Sequence, residues 1–213
     1  MKVVLRLLTV VAFIFVVALG ASLALKASIG VGAWDAVSQA VSTLSPIKVG
    51  TFAMILNTST VLAQWILLGK HFHPQRLLQV GVAVLLGVFV NLIFYTLLGD
   101  LSLNSYALKM VVFLVGILTI AVGVAIILAI DFVTFPLEAL CLVISDKTGW
   151  NFGKIRQGFD FGSIVVVLIL TFIFKIPLFV REGTVIGMLI FGPTIDFVMR
   201  KVKPSLQKLN LAD

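Results

Sequence analysis

Residues 20–50 read GASLALKASIGVGAWDAVSQAVSTLSPIKVG, and residues 123–153 read GVAIILAIDFVTFPLEALCLVISDKTGWNFG. Laid over one another at an offset of 103 positions, Gly20 meets Gly123, Asp35 meets Glu138, Ala36 meets Ala139, Ser42 meets Ser145 and Gly50 meets Gly153. Apolar residues match cheaply in any apolar chain, whereas coincident glycines, acids and serines do not. The register extends outward without a gap, so that Arg6 meets Lys109 and Asn57 meets Asp160. At an offset of 105, Arg76 then meets Arg181, Val80 meets Val185, Gly87 meets Gly192 and Asn91 meets Asp196. The chain reads as two copies of one unit, residues 1–100 and 101–213, within a single membrane domain.

Composition fixes the solvent of that domain. Of 213 residues, 61% are hydrophobic and 12% charged, and the mean hydropathy is +1.20. Soluble domains are about one-quarter charged, so a soluble enzyme, a nucleic-acid binder and a disordered regulator are excluded. The net charge of +7 belongs to membrane orientation rather than to nucleic acid. A spanning helix needs about 20 apolar residues. Six stretches qualify: Leu7–Ala24, Val49–Gly69, Leu77–Leu98, Val111–Ile130, Phe161–Phe174 with its flanks, and Gly183–Met199. The fifth is the least comfortable, with a short uncharged core and Asp160 at its edge. Met1–Arg6 is basic, but no small-residue cleavage site leads into a soluble domain, so the first stretch reads as a retained span. The single cysteine, Cys141, leaves no intramolecular disulfide and no cysteine-based zinc site.

Lysine and arginine set the orientation. With the N-terminus in the cytoplasm, Lys2, Arg6, Lys70, Arg76, Lys147, Lys154, Arg156, Arg200, Lys201, Lys203 and Lys208 lie inside. Only Lys26, Lys48, Lys109, Lys175 and Arg181 lie outside. Both termini are expected in the cytoplasm of a bacterial inner membrane. Three spans per unit is an odd number, so the second unit enters from the opposite face. The expected fold is an all-α, polytopic, inverted 3+3 repeat, a construction common among secondary transporters.

Each unit carries a short connection after its first span. In Ala36–Ser45, Val37, Ala40, Val41 and Leu44 share one helical face, with Ser38, Gln39, Ser42 and Ser45 opposite. Too short to cross, it lies in the interface or enters and returns. The counterpart Leu137–Ile144 is more apolar, which favours partial re-entry. Gly30, Gly32 and Pro136 allow the bends.

The run Ala27-Ser28-Ile29-Gly30-Val31-Gly32-Ala33-Trp34-Asp35, followed by Gly50-Thr51, resembles the YczE/YyaS/YitT group of bacterial integral membrane proteins. Gly183-Thr184-Val185-Ile186-Gly187, with Gly192-Pro193 and Asp196, resembles the closing part of YczE-type members. The resemblance covers essentially the whole chain, without the soluble C-terminal domain of YitT-type relatives. It implies a six-span inner-membrane protein and little about substrate. In the second unit, Asp131 to Glu138 keeps the acid and loses the glycines.

Ionisable groups inside a membrane are costly and become functional candidates. At a rise of 1.5 Å per residue, Asn57 lies about 12 Å in from a span start near Val49, and Asp160 about 8 Å in from Ile155 on the other side. Asp160 is the candidate proton- or cation-coupled carboxylate, with Arg156 four residues before it; pairing to Arg156 or Lys154 at the headgroup boundary is the structural alternative. Asp35 and Glu138 each stand at the start of a short helix, where free amides and the helix dipole favour an acid; lining a cavity is the functional alternative. Trp34 could stack on a ligand cation or belong to an interfacial belt. Gln64 and the glycines at 81, 87, 187 and 192 read as helix-packing devices.

No HExxH, GxSxG or P-loop is present, so no enzyme, metal or cofactor is expected. The leading expectation is a proton-coupled transporter or exporter of a small solute, with Asp35, Glu138, Asn57, Asp160 and Trp34 at its site. The rival is a non-transporting scaffold or regulatory partner of a biosynthetic or signalling complex. Partners are then the lipid bilayer, a small solute, and a second copy or another membrane protein.

Overall fold

The computed structural model describes residues 2–208; Met1 and residues 209–213, the close of the second predicted unit, lie outside the described residues. Eight α-helices follow in order: α1 (Lys2–Ala27), α2 (Ala33–Leu44), α3 (Val49–Leu68), α4 (Leu78–Leu92), α5 (Tyr106–Ile130), α6 (Pro136–Thr148), α7 (Phe152–Phe174) and α8 (Glu182–Lys208). Two 3-10 turns, Gly69–His71 and Pro74–Leu77, join α3 to α4, and a π-helical turn at Ile93–Leu97 continues α4. The order long, short, long, long occurs twice. The predicted connections are α2 and α6, each beginning before its amphipathic pattern does.

Among the described residues, five helical stretches are long and apolar enough to cross a membrane: Val3–Ala27, Val49–His71, Pro74–Leu97, Tyr106–Ile130 and Phe152–Phe174. The awkward fifth span resolves by extension, since α7 starts well ahead of Phe161 and takes Lys154, Arg156 and Asp160 into its first turns. Helix α8 contains the sixth predicted stretch but is not among the five. Its apolar run is diluted by Glu182, Asp196, Arg200, Lys201 and Lys203 and holds Pro193 and Pro204 in its interior. Large apolar side chains point away from the protein, such as Phe172 at 87% exposed and Ile66 at 74%. An outward face of that kind suits a lipid surround.

Helices in lipid gain little from apolar burial against one another and pack instead through small residues. The α1–α5 seam shows the effect. A Cβ on Gly20 would stand 2.6 Å from the Gly116 carbonyl and 2.8 Å from Ile120 Cγ1. One on Gly123 would stand 2.6 Å from Val17 Cγ2 and 3.3 Å from the Phe13 carbonyl. Contacts that move down α1 move up α5, so the two helices run antiparallel. The same 103-residue offset carries Gly116 onto Phe13 and Ile120 onto Val17, so one set of contacts is the image of the other.

The two helix breaks match as closely. Ser28 (φ 54°) ends α1 and Asp131 (φ 53°) ends α5, both left-handed and both at equivalent positions. Ser28 N donates to Leu25 O at 3.3 Å, and Asp131 N to Leu128 O at 3.2 Å. Gly30, at φ +116°, is the bend that needs glycine, and a Cβ there would meet Thr184 N at 2.8 Å. Gly32 has φ −53° and caps α2, a conformation open to other residues. Pro136 opens α6 as its first helical residue, where its missing N–H costs nothing.

Each break is closed by the other half: the first by α8 and the residue before it, the second by Gln64 of α3, itself held by Arg76 and by Gln79 of α4. Gly183 N donates to Ile29 O at 2.8 Å, and the Thr184 hydroxyl to Val31 O at 2.7 Å. Arg181 reaches Ser28 O at 3.1 Å. At the second break, Gln64 Nε2 donates to Pro136 O at 3.1 Å and to Gln79 Oε1 at 2.8 Å. Arg76, the counterpart of Arg181, donates to Gln64 Oε1 at 2.9 Å. The buried Thr184 and Gln64 side chains thus satisfy carbonyls that a broken helix would leave orphaned.

Candidate functional site

Helices α2, α3, α6 and α7 form a closed ring, with α2 on α3, α3 on α6, α6 on α7 and α7 on α2. The short helices α2 and α6 bring their N-terminal turns to this ring. Asp35 and Glu138 are each the third residue of their helix. Neither is the cap: those positions belong to Gly32 and Phe135, with no side-chain cap bond. The acids therefore stand in the first turn, where the dipole favours negative charge.

Arg156 gathers the cluster. Its Nε lies 3.5 Å from Glu138 Oε1 on α6, and its guanidinium hydrogen-bonds Asp160 one turn along α7. The three side chains are 18–31% exposed, so the pair is neither fully buried nor a surface bridge. Asp35 lies within electrostatic reach of Arg156, Glu138 and Asp160. It makes no hydrogen bond or ion pair with a described residue. It is also exposed, although Ala33, Ala36 and Val37 around it are buried. That combination leaves the Asp35 carboxylate without a direct partner at the edge of the ring.

Trp34 binds the first half to the second. Its indole Nε1 donates to Asn57 Oδ1 on α3 at 3.3 Å, and its ring meets Phe159 of α7 edge-on at a centroid distance of 6.1 Å. It is half-buried among helices, not in an outward-facing belt. Asn57 also donates to Ala53 O at 2.9 Å. Beneath them Leu137, Cys141 and Ile155 form a small apolar cluster with Trp34, Ile144 and Phe159.

The five sequence-chosen residues thus meet at one ring, with Asp160 and Glu138 bridged and Asp35 left open. The Arg156–Asp160 pairing follows from four-residue spacing. The Arg156–Glu138 bridge between α6 and α7 was not read from sequence, because no local spacing links the two. Also missed were Gln64, Gln79 and Thr184 as closures of the helix breaks; the coincidence of Arg76 with Arg181 was the available signal. Asn91 holds α4 to α3, accepting from Gly50 N at 2.9 Å and donating to Thr51 Oγ1 at 2.8 Å.

Curated proteins similar to this chain include the uncharacterised membrane protein YczE of Bacillus subtilis (strain 168), 26% identical over 99% of this chain and 92% of its own length. The uncharacterised protein YyaS of the same organism is 25% identical over 87% of this chain and 88% of its own. No solved structure matches. Such relatives, with several apolar helices and an apolar exterior, make this a multi-pass membrane protein. Residues 4–200 match the pattern of a family of unknown function, DUF6198, and the chain belongs to that family.

Proposed function

We propose that this protein is a secondary transporter of a small solute in the bacterial inner membrane, without enzymatic activity. Its frame in this reading is an inverted 3+3 repeat in which α8 is the sixth span and both termini are cytoplasmic. The antiparallel α1–α5 seam, its self-matching contacts and the paired helix breaks support that frame. The bias of lysine and arginine supports the orientation.

One observation carries the functional reading: Arg156 bridges Glu138, the first-turn acid of α6, to Asp160 of α7, with Asp35, the first-turn acid of α2 in the other half, within electrostatic reach. Transporters place their sites at such broken-helix termini between repeats. Three carboxylates around one guanidinium leave excess negative charge, and a low-dielectric setting favours taking up a proton or a cation there. Asp160 and Asp35 are the carboxylates assigned to that exchange, Arg156 the counter-ion, and Trp34 with Asn57 the polar wall. Protons are the coupling ion in this reading.

Reconstitution into liposomes holding an internal pH dye tests it. A solute from a broad panel is expected to drive proton flux, and Asp160→Asn to abolish it. The rival reading, a membrane scaffold, draws on Arg156 already being engaged by two acids. It gains if folded protein passes no solute and purifies with a stoichiometric membrane partner.

A further inference from the structure

The two halves differ at one seam. Helices α3 and α4 pack closely: Gly50 and Gly87 are buried, a Cβ on Gly87 would collide with Met54 Cγ, and Asn91 ties Gly50 and Thr51 across the seam. The counterparts α7 and α8 have no such seam. Among the described residues α8 packs on α5, and α7 on α2 and α6. Gly153, counterpart of Gly50, meets nothing beyond its neighbour Asn151, and Gly192, counterpart of Gly87, has open space around it. Both are exposed.

The side chains across the open seam are nonetheless complementary. Asn91 and Thr51, hydrogen-bonded in the first half, correspond to Asp196 and Lys154 in the second. A neutral pair is replaced by an acid and a base, both exposed in this structure and not within ion-pair distance of one another. Small residues for close approach and opposite charges for a latch thus stand where the first half has its contact.

We infer that α7 and α8 close on one another in a second conformation, with Lys154 bridging Asp196 across Gly153 and Gly192, while α3 and α4 part. The structure is then one of two states related by the pseudo-two-fold axis of the repeat, with the first-half seam shut and the second-half seam open. The seams act as reciprocal gates flanking the ring that holds Arg156. A population exchange of this kind needs both states close in free energy, and an exposed salt bridge offset against a neutral hydrogen bond suits a near-balanced pair. The inference rests on the inverted-repeat reading.

Its test needs no solute. In a Cys141→Ser background, Gln157→Cys and Gly192→Cys, the counterparts of the Met54–Gly87 contact, are combined and treated in native membranes with a short bis-thiol-reactive cross-linker. Cross-linking well above the single-cysteine level is expected. Asp196→Asn is expected to lower the yield several-fold, and Lys154→Asp with Asp196→Lys to restore it. Cross-linking no higher than in single-cysteine controls would overturn the inference, as would a yield indifferent to Asp196. Because solute-driven flux is measured separately, flux without cross-linking retires the gate alone, and cross-linking without flux retires the transport reading alone.

Discussion

Arg156 is the residue on which the account turns at its smallest scale. It serves two acids on two helices, and its fork geometry lets one side chain address both. Arg156→Ala leaves Glu138 and Asp160 facing each other without a counter-charge. Removal of one partner from a buried pair costs about 3–5 kcal/mol; partial exposure reduces the expected loss here to about 2 kcal/mol. Thermal unfolding in detergent should show a clear fall in Tm, with Arg156→Lys intermediate because a point charge cannot bridge both carboxylates. An unchanged Tm for the alanine variant would remove Arg156 from its organising role. Asp35→Asn, in contrast, removes no direct partner, so its stability should hold while transport falls.

Elements are organised by the seams and breaks. Gly116→Val would drive a Cβ to 2.8 Å from the Gly20 carbonyl and 3.0 Å from Ala24 N. Backbone cannot yield there as a side chain can, so a loss of about 1–3 kcal/mol is expected from overpacking. Gly192→Ala, with open space around it, should be neutral in the same measurement. At the first break Gly30→Ala faces both a positive φ and the Thr184 backbone, whereas Gly32→Ala meets only the Asp35 carboxylate, at 3.2 Å. Expression and Tm should drop for the first and hold for the second. Thr184→Val unseats the hydroxyl bonded to Val31 O and Arg181 N, at an expected cost of about 1–3 kcal/mol for the groups left unsatisfied. Much at this scale was legible beforehand. Matching glycines and acids located both short helices, because helix breaks and close approaches constrain residue type locally. What was not legible is tertiary: Gly30 and Gly32 look alike in sequence, and the positive φ of Gly30 together with the approach of α8 makes that one indispensable. The bridge from Arg156 to Glu138 was hidden for the same reason.

At the scale of the whole molecule, the twice-repeated order of long and short helices was readable and the unequal packing of α4 and α8 was not. Six apolar stretches were counted, but α8 holds enough charge that, among the described residues, five helical stretches meet the length and apolarity of a span. Its packing on α5, away from α7, leaves no local mark on the sequence. Topology reporters fused after Lys70, Ser105, Lys147, Lys175 and Lys203 should report inside, outside, inside, outside, inside. A reporter after Lys203 on the outer face would return α8 to a non-spanning helix and would dissolve the inverted repeat. The most direct test of the central claim asks whether the ring opens to both sides. A single cysteine at Asn57, in a Cys141→Ser background, is exposed to a membrane-impermeant thiol reagent in right-side-out and in inside-out vesicles. The account expects labelling from both faces, each slowed by a transported solute; labelling from one face only would contradict it.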